Sequence, residues 1–172
     1  MPKGAIRRVD ADATSTASAD PAERVRRHLA RFGLDEAIVH FERSTKTAQM
    51  AADAMGCELG QIAKSLVFSV DGMPVVALVA GDRRGDGAAI AAVIGGRTAA
   101  LADPDTVLHA TGYGAGAVSP FGIDPAVPIL IDESLLRFEI VYPAAGTSAS
   151  MVRVPAALLP EVTGGRLAVV AR

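Results

Sequence analysis

Two apolar segments joined by a two-residue turn constrain the fold of this chain more than any other feature. Residues 61–70 and 73–80 have strand length and composition, and Asp71-Gly72 between them is a hairpin signal because such turns need residues that tolerate positive φ. Pro74 lies near the start of the second segment, where a missing N–H is tolerated. We therefore expect an antiparallel hairpin that forms early.

The rest of the chain predicts short helices and strands in irregular alternation, with no repeat and no second domain. Helices are expected at residues 20–33, 47–55, 86–94, 103–110 and 155–162, and strands at residues 37–42, 127–132, 138–142, 150–154 and 166–171. This order favours a single α+β domain, residues 20–172, with one curved, mixed and largely antiparallel sheet. Residues 1–19 lack apolar periodicity and are predicted to be a disordered tail.

Composition excludes several classes of protein. The longest apolar runs are far shorter than a membrane span, and the single cysteine cannot form an internal disulfide, so we expect a cytoplasmic protein without membrane contact. The net charge of −2 predicts poor non-specific affinity for nucleic acid, so any such contact must be local. The basic clusters, at residues 24–31 and at Arg83-Arg84, are expected to be solvated surface.

Lys64 occupies an unusual position in the first hairpin strand. A period of two places it on the same face as Ile62, Leu66 and Phe68, which is the more apolar face. A lysine there must extend to water, find a partner or lower its pKa, because burying an unpaired ammonium is too costly. Both a frayed strand end and a functional site are consistent with this pattern.

Residues 111–122 form a second unusual segment, with four glycines and one proline between a predicted helix and a predicted strand. Such a loop either solves turn geometry or presents main-chain N–H groups to a ligand. Gly112-x-Gly114-x-x-Ala117 formally fits a dinucleotide fingerprint, but Ser119-Pro120 follows where a helix should open, and the chain has no Walker motif. Neither phosphate-binding interpretation is supported.

Three motifs occur in one order: Gln-Ile-Ala-Lys-Ser-Leu-Val-Phe at residues 61–68, Gly-Tyr-x-x-Gly-x-x-Ser-Pro-x-Gly at residues 112–122, and Ile-Leu-Ile-Asp at residues 129–132. Together they resemble the YbaK family, also called prolyl-tRNA synthetase-associated or INS-like editing domains. The resemblance extends from about Ile38 to the C-terminus, and it rests on the combination of motifs, because each motif alone is weak.

The resemblance implies hydrolysis of the ester that joins a wrong amino acid to the 3′-terminal ribose of tRNA, in trans and without a metal or other cofactor. Lys64 matches the essential lysine of the family, and Gly116 matches a glycine of the loop whose amides face the scissile carbonyl. Four further residues are implied to line the substrate site: Phe41, Tyr113, Ser119 and Asp132. A cation and loop amides suit this chemistry, because they can stabilise the oxyanion of an already activated ester.

His40 alternates with its neighbours on a predicted strand near this pocket and is a further candidate substrate contact. The low net positive charge and the lack of an aromatic stacking surface indicate that tRNA contacts are confined to the acceptor end, so a synthetase partner could supply the choice of tRNA.

Two other functions stay open, a non-catalytic module that binds an aminoacyl-adenosine-like ligand or a synthetase partner, and hydrolysis of another small ester. Residues 144–148 depart from the Ser-Gly-Gly and Lys-Arg turn of the cysteine-specific branch, which leaves the edited amino acid open. The oligomeric state is likewise open.

Overall fold

The computed structural model describes residues 20–172, and the predicted tail at residues 1–19 lies outside the described residues. The strands within the described residues are β1 (Ile38–His40), β2 (Ile62–Val70), β3 (Met73–Ala80), β4 (Ala99–Leu101), β5 (Ile129–Asp132), β6 (Ile140–Pro143), β7 (Ser150–Val152), β8 (Val154–Pro155) and β9 (Arg166–Ala168). The α-helices are α1 (Pro21–Ala30), α2 (Ala48–Met55), α3 (Gly87–Ile94), α4 (Pro104–Thr111) and α5 (Leu159–Thr163).

The hairpin is the centre of a seven-stranded mixed sheet. Strands β2 and β3 pair antiparallel along their length, and Asp71 and Gly72 take φ angles of 48° and 85°, as a tight two-residue turn requires. The strand order is β8-β6-β2-β3-β5-β9, with β4 also on β2, while β1 and β7 form a separate antiparallel pair. The β2–β6, β3–β5 and β5–β9 pairs are parallel. The predicted α+β fold with a mixed sheet is confirmed.

Short helices cover the sheet, and their starts follow the sequence signals. The carboxylates of Asp20, Asp86 and Asp103 and the hydroxyl of Thr47 each accept a hydrogen bond from a backbone N–H in the first turn of the helix that follows. None of the helices in residues 20–172 is long and apolar enough to cross a bilayer. Helices this short depend on packing against the sheet for their stability.

Apolar side chains cover both faces of the sheet. One face carries Val67, Val76 and Leu78 and packs against α1 and the glycine loop, residues 111–122. The opposite face carries Phe68, Val75 and Val79 and packs against α3. A smaller cluster of Ala51, Ala52, Ile62 and Met151 joins α2 to the start of β2 and to β7.

Arg24 corrects the expectation of a fully solvated basic helix. Its guanidinium donates a hydrogen bond to the carbonyl oxygen of Thr111 at 3.0 Å and lies 4.3 Å from the centroid of the Tyr113 ring. Helix α1 therefore braces the start of the glycine loop.

Strand β2 keeps an open edge in the middle of its length. On the side away from β3, β6 pairs with Ile62 and Ala63 and β4 pairs with residues 68–70, so no strand among residues 20–172 pairs there with residues 64–66. The carbonyl oxygen of Ile62 accepts from Gly81 on the β3 side and that of Val67 accepts from Ala102 on the other. Since main-chain groups alternate along a strand, the N–H and C=O of Ser65 face the open edge.

Candidate active site

A cleft of about 230 Å³ lies at the open edge of β2. Its walls are residues 62–66 of β2, residues 45–48 with Ala51 from the start of α2, the glycine loop at Gly116 and Val118, and the pair Ala144 and Met151. Lys64 and Gly116, which are far apart in sequence, therefore lie on the same cleft. Small side chains dominate the walls, and the volume of the cleft leaves room for only a small group.

Lys64 lines this cleft and is partly buried, and its ammonium donates a hydrogen bond of 2.6 Å to the carbonyl oxygen of Arg83. Burial lowers the pKa of Lys64 below that of an ordinary lysine; the carboxylate of Asp82 opposes this shift and the positive charge of Arg84 adds to it. An ammonium has three protons to donate, so the bond to Arg83 leaves donors for a substrate.

Gly116 lies at the exposed tip of the glycine loop. The N–H of Ala117 donates to the carbonyl oxygen of Gly114 at 3.0 Å, and Gly116 takes φ = 85° as the third residue of this turn. Among the four residues of the turn only Gly116 has positive φ, which is the pattern of a type II turn. Residues 114–116 are exposed, whereas Tyr113 and residues 118–121 on either side are buried. The loop therefore presents main-chain N–H groups from a fixed base.

Three hydroxyl-bearing residues that were not among the predicted site residues also line the cleft, namely Thr45, Thr47 and Ser65. The Oγ of Ser65 is buried and has no hydrogen-bond partner among residues 20–172. The Oγ1 of Thr45 donates to Ser148 and that of Thr47 caps α2. Strand alternation assigned Ser65 to the face opposite Lys64, and only the open edge brings both to one cleft. A run of polar residues before the cap of α2 was the available signal for Thr45.

His40 and Phe41 lie in a neighbouring groove. That groove has a volume of about 520 Å³ and shares Thr45 with the cleft of Lys64. His40 is exposed at the edge of β1, while Phe41 packs against the cluster of Ala51, Ile62 and Met151 that forms one wall of the cleft. Phe41 thus supports that wall from behind.

Tyr113 and Ser119 lie at the base of the glycine loop and do not line the cleft. Both are fully buried: the hydroxyl of Tyr113 donates to the carbonyl oxygen of Phe121, and the Oγ of Ser119 accepts from the N–H of Phe121. In the structure these two residues, which were predicted to contact the substrate, therefore hold the base of the glycine loop in shape.

Asp132 is also buried and lies outside the cleft wall. Its carboxylate accepts hydrogen bonds from the N–H of Ser134 at 3.1 Å and of Val170 at 2.8 Å, and from the hydroxyl of Ser134. These bonds cap the helical turn Glu133–Arg137 and tie the end of β5 to the last segment of the chain.

Within residues 20–172 no group of three or more His, Cys, Asp or Glu side chains is arranged to hold a metal ion. Burial raises the pKa of the Cys57 thiol, which disfavours the thiolate that a nucleophilic cysteine needs. The cleft wall holds the partly buried Lys64, the exposed Lys46, the glycine turn with its main-chain amides, and residues with hydroxyl groups. These are the donors that an acyl-transfer site uses to stabilise an oxyanion.

Residues 42–161 match the family model described as aminoacyl-tRNA editing domain. The Bacillus subtilis (strain 168) protein YwhH is 35% identical over 80% of this chain and 87% of its own. An Escherichia coli (strain K12) protein named multifunctional Ser/Thr-tRNA deacylase ProXp-y is 35% identical over 72% of this chain and 77% of its own. A solved structure described as a candidate trans-editing enzyme for prolyl tRNA synthetase has 34% identity and a TM-score of 0.81, and the match covers 90% of this chain and 98% of that one.

The chain belongs to the aminoacyl-tRNA editing domain family. The predicted family, the YbaK-like fold and the editing deacylase function are confirmed. The roles of individual residues stay predictions.

Proposed function

We propose that this protein hydrolyses the ester between tRNA and a small hydroxyl-bearing amino acid, serine or threonine, with Lys64 and Gly116 acting on the ester carbonyl. The observation that carries the proposal is that Lys64 and the exposed turn at Gly116 line one small cleft although they are far apart in sequence.

The chemistry follows from these donors. Water adds to the ester carbonyl carbon and gives up one proton to solvent, and the tetrahedral oxyanion accepts hydrogen bonds from the Lys64 ammonium and from the amides of the turn. The bond from that carbon to the ribose oxygen then breaks, and the ribose oxygen takes a proton from solvent. The carboxylic acid loses its own proton to solvent and leaves as a carboxylate. An aminoacyl ester is already activated, so positioning and charge stabilisation supply most of what is needed.

The cleft itself favours a small polar side chain. Its volume of about 230 Å³ lies below the roughly 300–1,000 Å³ of sites for drug-sized ligands. A site that pairs a substrate hydroxyl discriminates strongly against side chains that lack one. The name of the Escherichia coli relative, a Ser/Thr-tRNA deacylase, supports this substrate class.

The partners follow from the substrate. The acceptor end of a misacylated tRNA is the ligand, and the description of the structural relative, which pairs trans-editing with prolyl tRNA synthetase, supports a synthetase partner that selects the tRNA. Since charged tRNA is made and used where proteins are synthesised, the proposal places the protein in the cytoplasm.

A deacylation panel tests the proposal. The protein is incubated with tRNA charged with Ser, Thr, Ala, Cys or Pro, and release of the amino acid is followed over many turnovers. We expect Ser- and Thr-tRNA to be hydrolysed at least about tenfold faster than Ala-tRNA, because a site that pairs the substrate hydroxyl is left with an unpaired polar group when Ala is bound. Preferred hydrolysis of Ala- or Cys-tRNA contradicts the substrate class. Binding without turnover on every substrate contradicts the deacylase and supports a binding module.

A further inference from the structure

Arg24 of helix α1 lies against both ends of the glycine loop. Its guanidinium donates to the carbonyl oxygen of Thr111 at 3.0 Å and lies 4.3 Å from the centroid of the Tyr113 ring. Its Cγ lies 3.2 Å from the position that a Cβ on Gly122 would take, at the other end of the loop. One side chain thus contacts the loop where it leaves the fold and where it returns.

The glycine after Thr111 makes room for this guanidinium. A Cβ on Gly112 would lie 2.6 Å from Nη2 and 2.9 Å from Cζ of Arg24, so a side chain there would displace the arginine. Gly112 also ends α4 with φ = 75°, the left-handed conformation that favours glycine at a helix end. The guanidinium is therefore packed against the backbone of Gly112 as well as the ring of Tyr113.

The turn at Gly116 has few other contacts that could fix its position. Among residues 20–172, the bond from Arg24 to Thr111 is the only hydrogen bond that joins the loop to an element other than α4. In the same part of the chain, the exposed residues 114–116 are tied by a backbone hydrogen bond only within their own turn. The position of the turn therefore follows from the buried base of the loop, and Arg24 ties that base to α1.

Helix α1 is a firm support for this contact. Val25 and Leu29 are fully buried and belong to the core on this face of the sheet. The start of the helix also packs on the segment after Ala144 of the cleft wall, where a Cβ on Gly146 would lie 2.9 Å from the carbonyl oxygen of Pro21. Helix α1 therefore lies against two of the segments that line the cleft.

We propose that Arg24 is a positioning residue for the hydrolysis, which sets the place of the Gly116 turn relative to Lys64. This inference rests on the proposed function. Arg24 is not part of the cleft wall, so it acts through the loop and not on the ester. A guanidinium suits this role, because it is planar and stays charged, and so it can stack on an aromatic ring while it donates to a carbonyl oxygen.

The proposal gives a role to a residue that the sequence predicted to be solvated surface. Arg24 also precedes residues 42–161, the part of the chain that matches the family model. The support for the turn thus comes from a helix outside the matched region.

Single-turnover hydrolysis of Ser-tRNA at increasing enzyme concentration tests this, because it separates the maximal rate from the half-saturating concentration. Arg24→Met is compared with Arg27→Met, which removes the same charge from an exposed position on the same helix. Ile90→Val is a second control, because it loosens a core cluster that contains no residue of the loop. Circular dichroism and thermal unfolding report the fold and stability of each variant.

We expect Arg24→Met to lower the maximal rate about 10- to 100-fold and to change the half-saturating concentration less than about twofold, because a displaced turn loses contacts to the transition state while the RNA still binds. Arg27→Met and Ile90→Val should keep the wild-type maximal rate within about twofold, since neither alters the loop.

Gly112→Ala perturbs the same contact from the side of the loop. Its methyl group would occupy the place of the guanidinium, so we expect a maximal rate at least about tenfold below that of Gly95→Ala. Gly95 is the matched control, because it ends α3 with φ = 84° and a Cβ there would meet no atom within 4 Å. This pair of variants carries the test if Arg24→Met does not fold.

Amide ¹H–¹⁵N spectra follow the turn without any substrate. We expect the resonances of residues 114–117 to shift or broaden in Arg24→Met and to stay in place in Arg27→Met. Turn resonances that do not change in Arg24→Met overturn the inference, as does a folded Arg24→Met protein with the wild-type maximal rate. A loss confined to the half-saturating concentration also overturns it, because it assigns Arg24 to RNA binding.

Failure of the proposed function gives a different result. A wild type that hydrolyses no charged tRNA contradicts the deacylase, whereas turn resonances that depend on Arg24 still support its positioning role.

Discussion

Lys64 shows what a sequence pattern can and cannot specify about one residue. Its apolar strand face left three outcomes, namely extension to water, a partner or a lowered pKa. The structure combines the last two: the ammonium donates to the carbonyl oxygen of Arg83, and burial lowers its pKa. The strand face of Lys64 was predictable from a period of two. Its hydrogen-bond partner was not predictable, because it lies in a loop 19 residues further along the chain.

The lowered pKa of Lys64 predicts an alkaline limit to activity. The protonated amine stabilises an oxyanion far better than the neutral amine, so the catalysed rate should fall as pH rises through this pKa, at a lower pH than for an ordinary lysine. Asp82→Asn removes the carboxylate that raises this pKa, so we expect the alkaline limb to move to lower pH.

The measurement is the rate of ester hydrolysis against pH, after subtraction of the uncatalysed alkaline rate. Asp105→Asn, which alters an exposed acidic residue in the first turn of α4, is the control and should leave the limb in place. An alkaline limb that is unmoved by Asp82→Asn contradicts the role of charged Lys64.

At the scale of elements, helix starts and the hairpin were predictable because capping residues and Asp71-Gly72 act locally. Strand β4 was not predicted: Ala99–Leu101 has no strand-like alternation and forms by pairing with residues 68–70 of β2. The inward-facing base of the glycine loop was also missed, because the motif marks Tyr113 and Ser119 without telling whether they face the substrate or the core.

The glycine turn carries a prediction of its own. Gly116 and Gly95 have φ of 85° and 84°, and a Cβ on either would meet no atom within 4 Å. Alanine at either position should therefore cost about 1–2 kcal/mol of folding free energy from backbone strain alone. Gly95 ends α3, outside the cleft wall, so it is a matched control.

We expect Gly116→Ala to lower single-turnover deacylation about 100- to 1,000-fold, the cost of one oxyanion donor, because the added methyl group stands where the ester approaches the amides of the turn; Gly95→Ala should keep most of the activity. Denaturant unfolding measures the stability loss, which should be similar in the two variants. Equal activities in the two variants contradict a role for the turn at Gly116.

At the scale of the whole molecule, the site exists because two strands cover β2 incompletely. Strands β6 and β4 occupy the two ends of one edge, and the gap between them opens the cleft to Ser65, Lys64 and the glycine loop. The sequence predicted a mixed sheet and named Lys64 and Gly116, yet it could not predict this gap. Pairings between residues 29 to 80 positions apart decide it, and no local pattern encodes them.

The account depends most directly on the charge at Lys64, and single-turnover hydrolysis of Ser-tRNA by Lys64→Ala tests it. We expect a rate about 100- to 1,000-fold below that of the wild type, with an unchanged fold by circular dichroism and thermal unfolding, because the substitution removes a donor from the cleft and no core contact. A folded Lys64→Ala protein that hydrolyses Ser-tRNA at the wild-type rate would contradict the account.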